Sequence, residues 1–198
     1  MNSSGNRESS NAVPNSPWNL PNAITIARII SVPFFIWTLY STQNNESPMR
    51  WYSVLFFVLV MASDGIDGAI ARRRGLITNL GKLLDPIADK ALLGGALIAL
   101  SAMNEIAWWV TIVILVRELG ITAYRFAVIR KRVIPASSGG KLKTIFQSIM
   151  LGFVISPLSA WFPGEAYRVF ENALVFVAVA LTLYSGLQYL VAAARASR

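Results

Sequence analysis

Ser63–Lys90 reads SDGIDGAIARRRGLITNLGKLLDPIADK and carries Asp64, Asp67, Asp85 and Asp89, four of the ten acidic residues in an otherwise strongly apolar chain. Asp64 and Asp67 are three apart and Asp85 and Asp89 four apart, so on helices each pair projects from one face. Two such faces brought together make a tetracarboxylate site. Uncompensated negative charges at the edge of a bilayer are very costly, which calls for divalent cations between them or for shifted protonation.

The bilayer is implied by composition. At 198 residues, with 55% hydrophobic and 14% charged residues and a mean hydropathy of +0.52, the chain is too apolar for an ordinary soluble domain of its length. It has no cysteine and no histidine. That excludes disulfides, thiolate metal sites and thiol nucleophiles, and removes the commonest general base. Any metal must be held by oxygen. The net charge of +8 does not point to nucleic acid, because the basic residues are sorted by membrane side rather than gathered in one patch. Anionic lipid headgroups are the simpler partner.

Working outward from the acidic stretch, residues 1–16 are rich in Ser, Asn and Gly and read as a disordered tail. The segment PWNLPNAITIARIISVP, residues 17–33, suggests a short interfacial piece leading into a first spanning helix from about Ile24 to Ser41, kinked at Pro33. Arg28 on its first turns reads as a snorkelling anchor, while Asn22 and Thr25 could touch a ligand. A second apolar run covers about Trp51 to Ala71, with Asp64 and Asp67 inside it. A third, from about Leu83 to Met103, holds Asp85 and Asp89 in its first turns, where the helix dipole suits carboxylates. A fourth, about Ile106 to Ile129, is interrupted by Arg117 and Glu118, and a basic loop with RKR and GGKLK follows. Helices from about Leu142 to Trp161 and Glu171 to Ala194 complete six candidate spans. With both termini cytoplasmic, Arg50 and Arg168 fall outside, Arg117 within a span, and the other basic residues on the cytoplasmic side, as the positive-inside rule requires. All four aspartates then face the cytoplasm. No internal repeat or second soluble domain is evident, so residues 17–198 form one membrane domain.

Two divalent ions about 3.5–4 Å apart between shared carboxylates can clamp a pyrophosphate and orient in-line attack. Oxygen-only ligands favour Mg²⁺ or Mn²⁺. Gly68 and Ala71 remove bulk one turn along the Asp64 face, and Arg72 offers a fixed fork for phosphate oxygens. Taken singly, the aspartates could cap helices, the arginines obey positive-inside and the small residues pack helices. That reading leaves two acids inside an apolar helix unexplained.

Asp64, Asp67, Gly68, Ala71, Arg72, Gly81, Asp85 and Asp89 fit DxxDGxxAR, eight residues, GxxxDxxxD. This resembles the signature of the CDP-alcohol phosphotransferase family. The resemblance implies an all-α membrane protein in which six transmembrane helices follow a short interfacial helix, usually as a homodimer, with a two-metal site opening to the cytoplasm. It implies that Asp64, Asp67 and Asp85 are metal ligands and that Asp89 is both a ligand and the base that deprotonates the acceptor alcohol. Gly68, Arg72, Thr78 and the segment Asn22, Ala23, Ile24 and Thr25 are implied to contact the CDP moiety.

Beyond the signature, NLPNAITIARIISVP, RELGITAYR and GGKLKT are similar to segments of bacterial phosphatidylglycerophosphate synthases. That similarity implies transfer of a phosphatidyl group from CDP-diacylglycerol to glycerol 3-phosphate at the cell membrane, with release of CMP. The dianionic acceptor phosphate needs basic groups, and Arg117, Arg125, Lys141 and Lys143 are the candidates, although positive-inside accounts equally for the two lysines. Arg117 and Arg125 lie eight apart on roughly one helix face, while Glu118 points about 100° away and could orient a neighbouring helix. The rival readings are the same metal site with another acceptor, as in cardiolipin, phosphatidylinositol phosphate or phosphatidylserine synthases, and a non-enzymatic cation-binding membrane protein or transporter. Acids clustered at one membrane face, without matching charges on the other, count against a transporter.

Overall fold

The structure, a computed structural model, describes residues 19–42, 48–74, 78–128 and 138–196. These form α1 (Leu20–Ser41), α2 (Arg50–Arg74), α3 (Asn79–Ala102), α4 (Trp108–Val128), α5 (Ser138–Ile155), the single turn α6 (Leu158–Trp161) and α7 (Glu165–Ala196), with no strand among the described residues. The tail proposed for residues 1–16 lies outside the described residues.

Several boundaries differ from the expected ones for local reasons. α1 is already helical at Leu20, capped by Asn19, whose side chain accepts from the Asn22 N–H at 3.0 Å. Leu20 to Ala23 are therefore its first turn rather than part of a separate interfacial piece. α3 begins at Asn79 because Thr78 caps it, the hydroxyl accepting from the Gly81 N–H at 3.0 Å. Asp85 and Asp89 consequently lie beyond its first turn, and the expected dipole contribution does not apply to them. The single helix expected from Leu142 to Trp161 ends at Ile155, since Pro157 disfavours helical backbone at Ser156. α7 starts at Glu165, just after Gly164 at φ +133°, a conformation that suits glycine.

α1 and α3 lie parallel. Asn22 meets Thr78, Thr25 meets Asp85, and farther along Val32 and Ile36 close over Gly95. A Cβ on Gly95 would come within 3.0 Å of Ile36 and 3.2 Å of Val32, so the bare glycine permits this approach. α2 runs antiparallel to α1, with Phe56 and Phe57 against Phe34 and Phe35, and Ser63 beside Arg28. α4 runs antiparallel to α3 through the Ser101–Thr111 hydroxyl pair at 2.7 Å. α5 and α7 are antiparallel through Gln147 and Thr182 at 2.8 Å, and Phe153 packs on Tyr167 and Phe170. Phe35, Leu39, Leu97, Leu100, Ile114, Met150 and Leu151 form the centre of the common core.

The molecule thus has two ends. One holds the starts of α1, α3 and α5 and the ends of α2, α4 and α7. At the other, Arg50 is fully buried, paired with Glu105 and donating to the Ile155 carbonyl at 2.7 Å, an oxygen that the break after α5 leaves without a helical donor.

The outward faces are strongly apolar. Ile30, Trp37, Val116, Phe176 and Leu187 are each more than half exposed, a pattern that suits lipid rather than water. Among the described residues, Leu20–Ser41 and Glu165–Arg195 are long and apolar enough to cross a bilayer, and Arg50–Ser63 and Leu142–Ile155 are shorter apolar helices. The other expected spans are interrupted by their own polar residues, at Asp64 and Asp67 in α2, Asp85 and Asp89 in α3, and Arg117 and Glu118 in α4.

Candidate active site

The N-terminal turns of α1 and α3 are joined by a polar seam. Asn22 Nδ2 donates to Thr78 Oγ1 at 2.8 Å, and Thr78 holds the Gly81 N–H, so one hydroxyl caps α3 and fastens it to α1. The fit depends on Gly81, where a Cβ would lie 2.6 Å from Asn22 Oδ1. One turn on, Thr25 Oγ1 bonds the Pro21 carbonyl and Asp85 Oδ1, both at 3.1 Å. Asn22, Thr25 and Thr78 are buried, whereas Ala23 is exposed and Ile24 half-buried. Of the residues expected to contact a CDP moiety, the structure therefore brings Asn22, Thr25 and Thr78 together at Asp85. Their buried side chains serve first to set α1 against α3.

Asp85 and Asp89 are exposed on successive turns of α3, with Pro86 between them. Proline has no N–H, so the carbonyl four residues earlier loses its helical donor and the helix is loosened beside the acids. Asp64, Asp67, Gly68 and Arg72 lie on α2. The side chains of Asp64, Asp67 and Arg72 lie outside the described set, as do those of Arg125 on α4 and Lys141 on α5. The placement of α2 is fixed at Ser63, whose hydroxyl accepts from Arg28 Nε at 3.2 Å. Ser63 directly precedes Asp64, and Arg28 is three residues beyond Thr25, so the motif's first half begins beside the turn of α1 that touches its second half. Arg28 is only 4% exposed, which rules out the snorkelling anchor. Sequence reasoning missed this tie; the signal was an arginine within an apolar helix one turn after Thr25.

A second polar cluster lies among α3, α4, α5 and α7. The buried Glu118 carboxylate pairs with Lys143 of α5, with Arg117 Nη1 at 2.9 Å and with Lys90 Nζ of α3 at 3.4 Å. Arg117 Nη2 donates to Ser185 Oγ of α7 at 2.9 Å. The structure thus brings together Arg117 and Lys143 from the expected acceptor set and adds Lys90, the residue after Asp89. Glu118 does reach neighbouring helices as its angular position suggests, but it also meets Arg117, because a flexible arginine spans the angle between adjacent positions.

Comparison with known proteins places this arrangement in a family. A CDP-alcohol phosphatidyltransferase model matches residues 18–184. A Mycobacterium tuberculosis protein named "Probable phosphatidylglycerophosphate synthase" is 41% identical over 177 residues, covering 89% of this chain and 82% of the relative. Proteins named CDP-diacylglycerol--glycerol-3-phosphate 3-phosphatidyltransferase are 36% identical in Salmonella typhimurium, covering 89% of this chain and 95% of the relative, and 34% identical in Bacillus subtilis strain 168, covering 87% and 93%. A match that runs from α1 into α7 and covers the polar residues of both clusters except Ser185 makes the chain a member of the CDP-alcohol phosphatidyltransferase family.

Proposed function

We propose that the chain transfers the phosphatidyl group of CDP-diacylglycerol to glycerol 3-phosphate, giving phosphatidylglycerol phosphate and CMP, the activity named for the relatives above. The observation that carries the acceptor is the gathering of Lys90, Arg117 and Lys143 around Glu118, beginning one residue beyond Asp89. A dianionic phosphate is drawn to such a cluster, which leaves the acceptor's free hydroxyl to be directed at the carboxylates.

The donor set suits two divalent cations, Mg²⁺ or Mn²⁺: Thr25 orients Asp85 Oδ1, Asp85 and Asp89 are accessible, and a chain without His or Cys offers oxygen. Asp64, Asp67, Asp85 and Asp89 are the proposed ligands, and the cations supply charge neutralisation to the pyrophosphate. Asn22, Ala23, Ile24, Thr25, Gly68, Arg72 and Thr78 form the proposed CDP surface, where Arg72 pairs with phosphate oxygens. Asp89 takes the proton of the primary hydroxyl, whose oxygen attacks the lipid-side phosphorus. The bond from that phosphorus to the CMP oxygen breaks, and CMP leaves with the electron pair. Arg125 and Lys141 join Arg117 and Lys143 as proposed acceptor contacts. The wider proposal is a six-span homodimer in the cell membrane, organised as one domain over 17–198, with the carboxylates and both termini cytoplasmic.

Product analysis tests the transfer. Full-length protein supplied with CDP-diacylglycerol, Mg²⁺ and radiolabelled glycerol 3-phosphate should move label into extractable lipid in step with CMP release. Release of CMP without label in lipid contradicts the proposal.

A further inference from the structure

Glu118 has no place in the reaction so far, and a carboxylate beside a phosphate subsite would by itself repel the substrate. Its surroundings resolve this. Lys90, Arg117 and Lys143 come from three helices and would repel one another if brought together alone. The side chains of Glu118 and Lys143 are each 7% exposed, whereas those of Lys90 and Arg117 retain 19% and 14% of their accessible surface. The carboxylate is therefore more deeply buried than Lys90 and Arg117, whose side chains keep some accessible surface. Three cations against one carboxylate leave two positive charges uncompensated among the described residues, which matches a dianionic phosphate. Arg117 Nε, buried, has no hydrogen-bond partner among the described residues, while its Nη atoms are fixed by Glu118 and Ser185. The opposite end offers the contrast: Arg50 pairs with Glu105 and donates to a carbonyl, and with Glu171 and Arg168 in electrostatic reach the cations and anions there are equal in number.

We infer that Glu118 is a positioning residue for the acceptor, gathering Lys90, Arg117 and Lys143 into a rigid cationic floor for the phosphate of a small phosphorylated alcohol. This rests on the proposed transfer to glycerol 3-phosphate. Electrostatics alone predicts the reverse, since neutralising Glu118 makes the cluster more positive and should tighten anion binding. The two accounts separate in kinetics.

The test compares E118Q and E118D with the wild-type full chain, following CMP release in CDP-diacylglycerol micelles while each substrate is varied. Positioning predicts that E118Q raises KM for glycerol 3-phosphate about tenfold or more, the scale of a lost charged hydrogen bond. KM for CDP-diacylglycerol should stay within about twofold, as for an independent site. E118D, keeping the charge on a shorter arm, should fall between. An acceptor KM that is unchanged or lower in E118Q overturns the inference, as does a parallel rise in both KM values. If E118Q does not fold, E118D decides: a rise in acceptor KM alone supports positioning, and an unchanged value overturns it. Absence of glycerol 3-phosphate-dependent CMP release by wild type would instead reject the underlying reaction.

Discussion

At the scale of the residue, carboxylates that look alike in the sequence have unequal surroundings. Asp85 is bonded to Thr25, whereas Asp89 lies a turn farther along on the way to Lys90 and the cationic cluster. D89N keeps the size and most of the polarity of the side chain but cannot take a proton. CMP release should fall by roughly two to four orders of magnitude, the usual contribution of a general base, while CDP-diacylglycerol binding persists. Undiminished CMP release by D89N would refute the base assignment. Gly81 gives a different kind of prediction. In G81A the added methyl would press on Asn22 Oδ1 at 2.6 Å and force apart the Asn22–Thr78 seam. Thermal stability should drop and KM for CDP-diacylglycerol should rise, with acceptor KM much less affected; unchanged donor KM would separate the seam from the CDP surface.

At the scale of the element, the parallel pair α1 and α3 sets the site and the buried Arg50–Glu105 pair secures the opposite end. R50M leaves Glu105 without its guanidinium partner and the Ile155 carbonyl without its donor, a change expected to cost about 3–5 kcal/mol. A melting curve should show the loss, while KM values at a permissive low temperature should remain near wild type. Changed acceptor or donor KM would show that the two ends are coupled. The helices themselves were largely legible in the sequence as apolar runs, but their limits were not: the run from Leu142 to Trp161 read as one helix although Pro157 breaks it, and α3 starts at Asn79 rather than Leu83 because Thr78 caps it. Partner choice was not. Periodicity shows that Thr25 and Asp85 each lie on a helix, but only packing across Gly95 shows that they touch. Arg28 reads as an anchor from sequence, since a lone arginine near a helix start commonly reaches for the interface; its pairing with Ser63 depends on how α2 returns. The cluster at Glu118 was half legible: Arg117 and Lys143 stood out as cations, while the convergence of Lys90, Ser185 and the carboxylate required the arrangement of four helices.

At the scale of the whole molecule, the proposal is an apolar-faced bundle with its chemistry at one membrane face. A chain without cysteine is suited to a topology test by single-cysteine labelling. Asn104, in the turn between α3 and α4, belongs to the end opposite the aspartates, and Ala196 closes α7 at the same end as them. In intact cells, a membrane-impermeant thiol reagent should label N104C and spare A196C; the reverse pattern would contradict the cytoplasmic site. The central claim joins this architecture to one reaction, and acceptor choice tests it most directly. Purified full-length protein is given CDP-diacylglycerol and Mg²⁺ or Mn²⁺, and CMP release is measured with each acceptor in turn. The account predicts release on adding glycerol 3-phosphate and its loss when the divalent cation is chelated. Release only with inositol phosphate, serine or phosphatidylglycerol, or release that survives chelation, would contradict it.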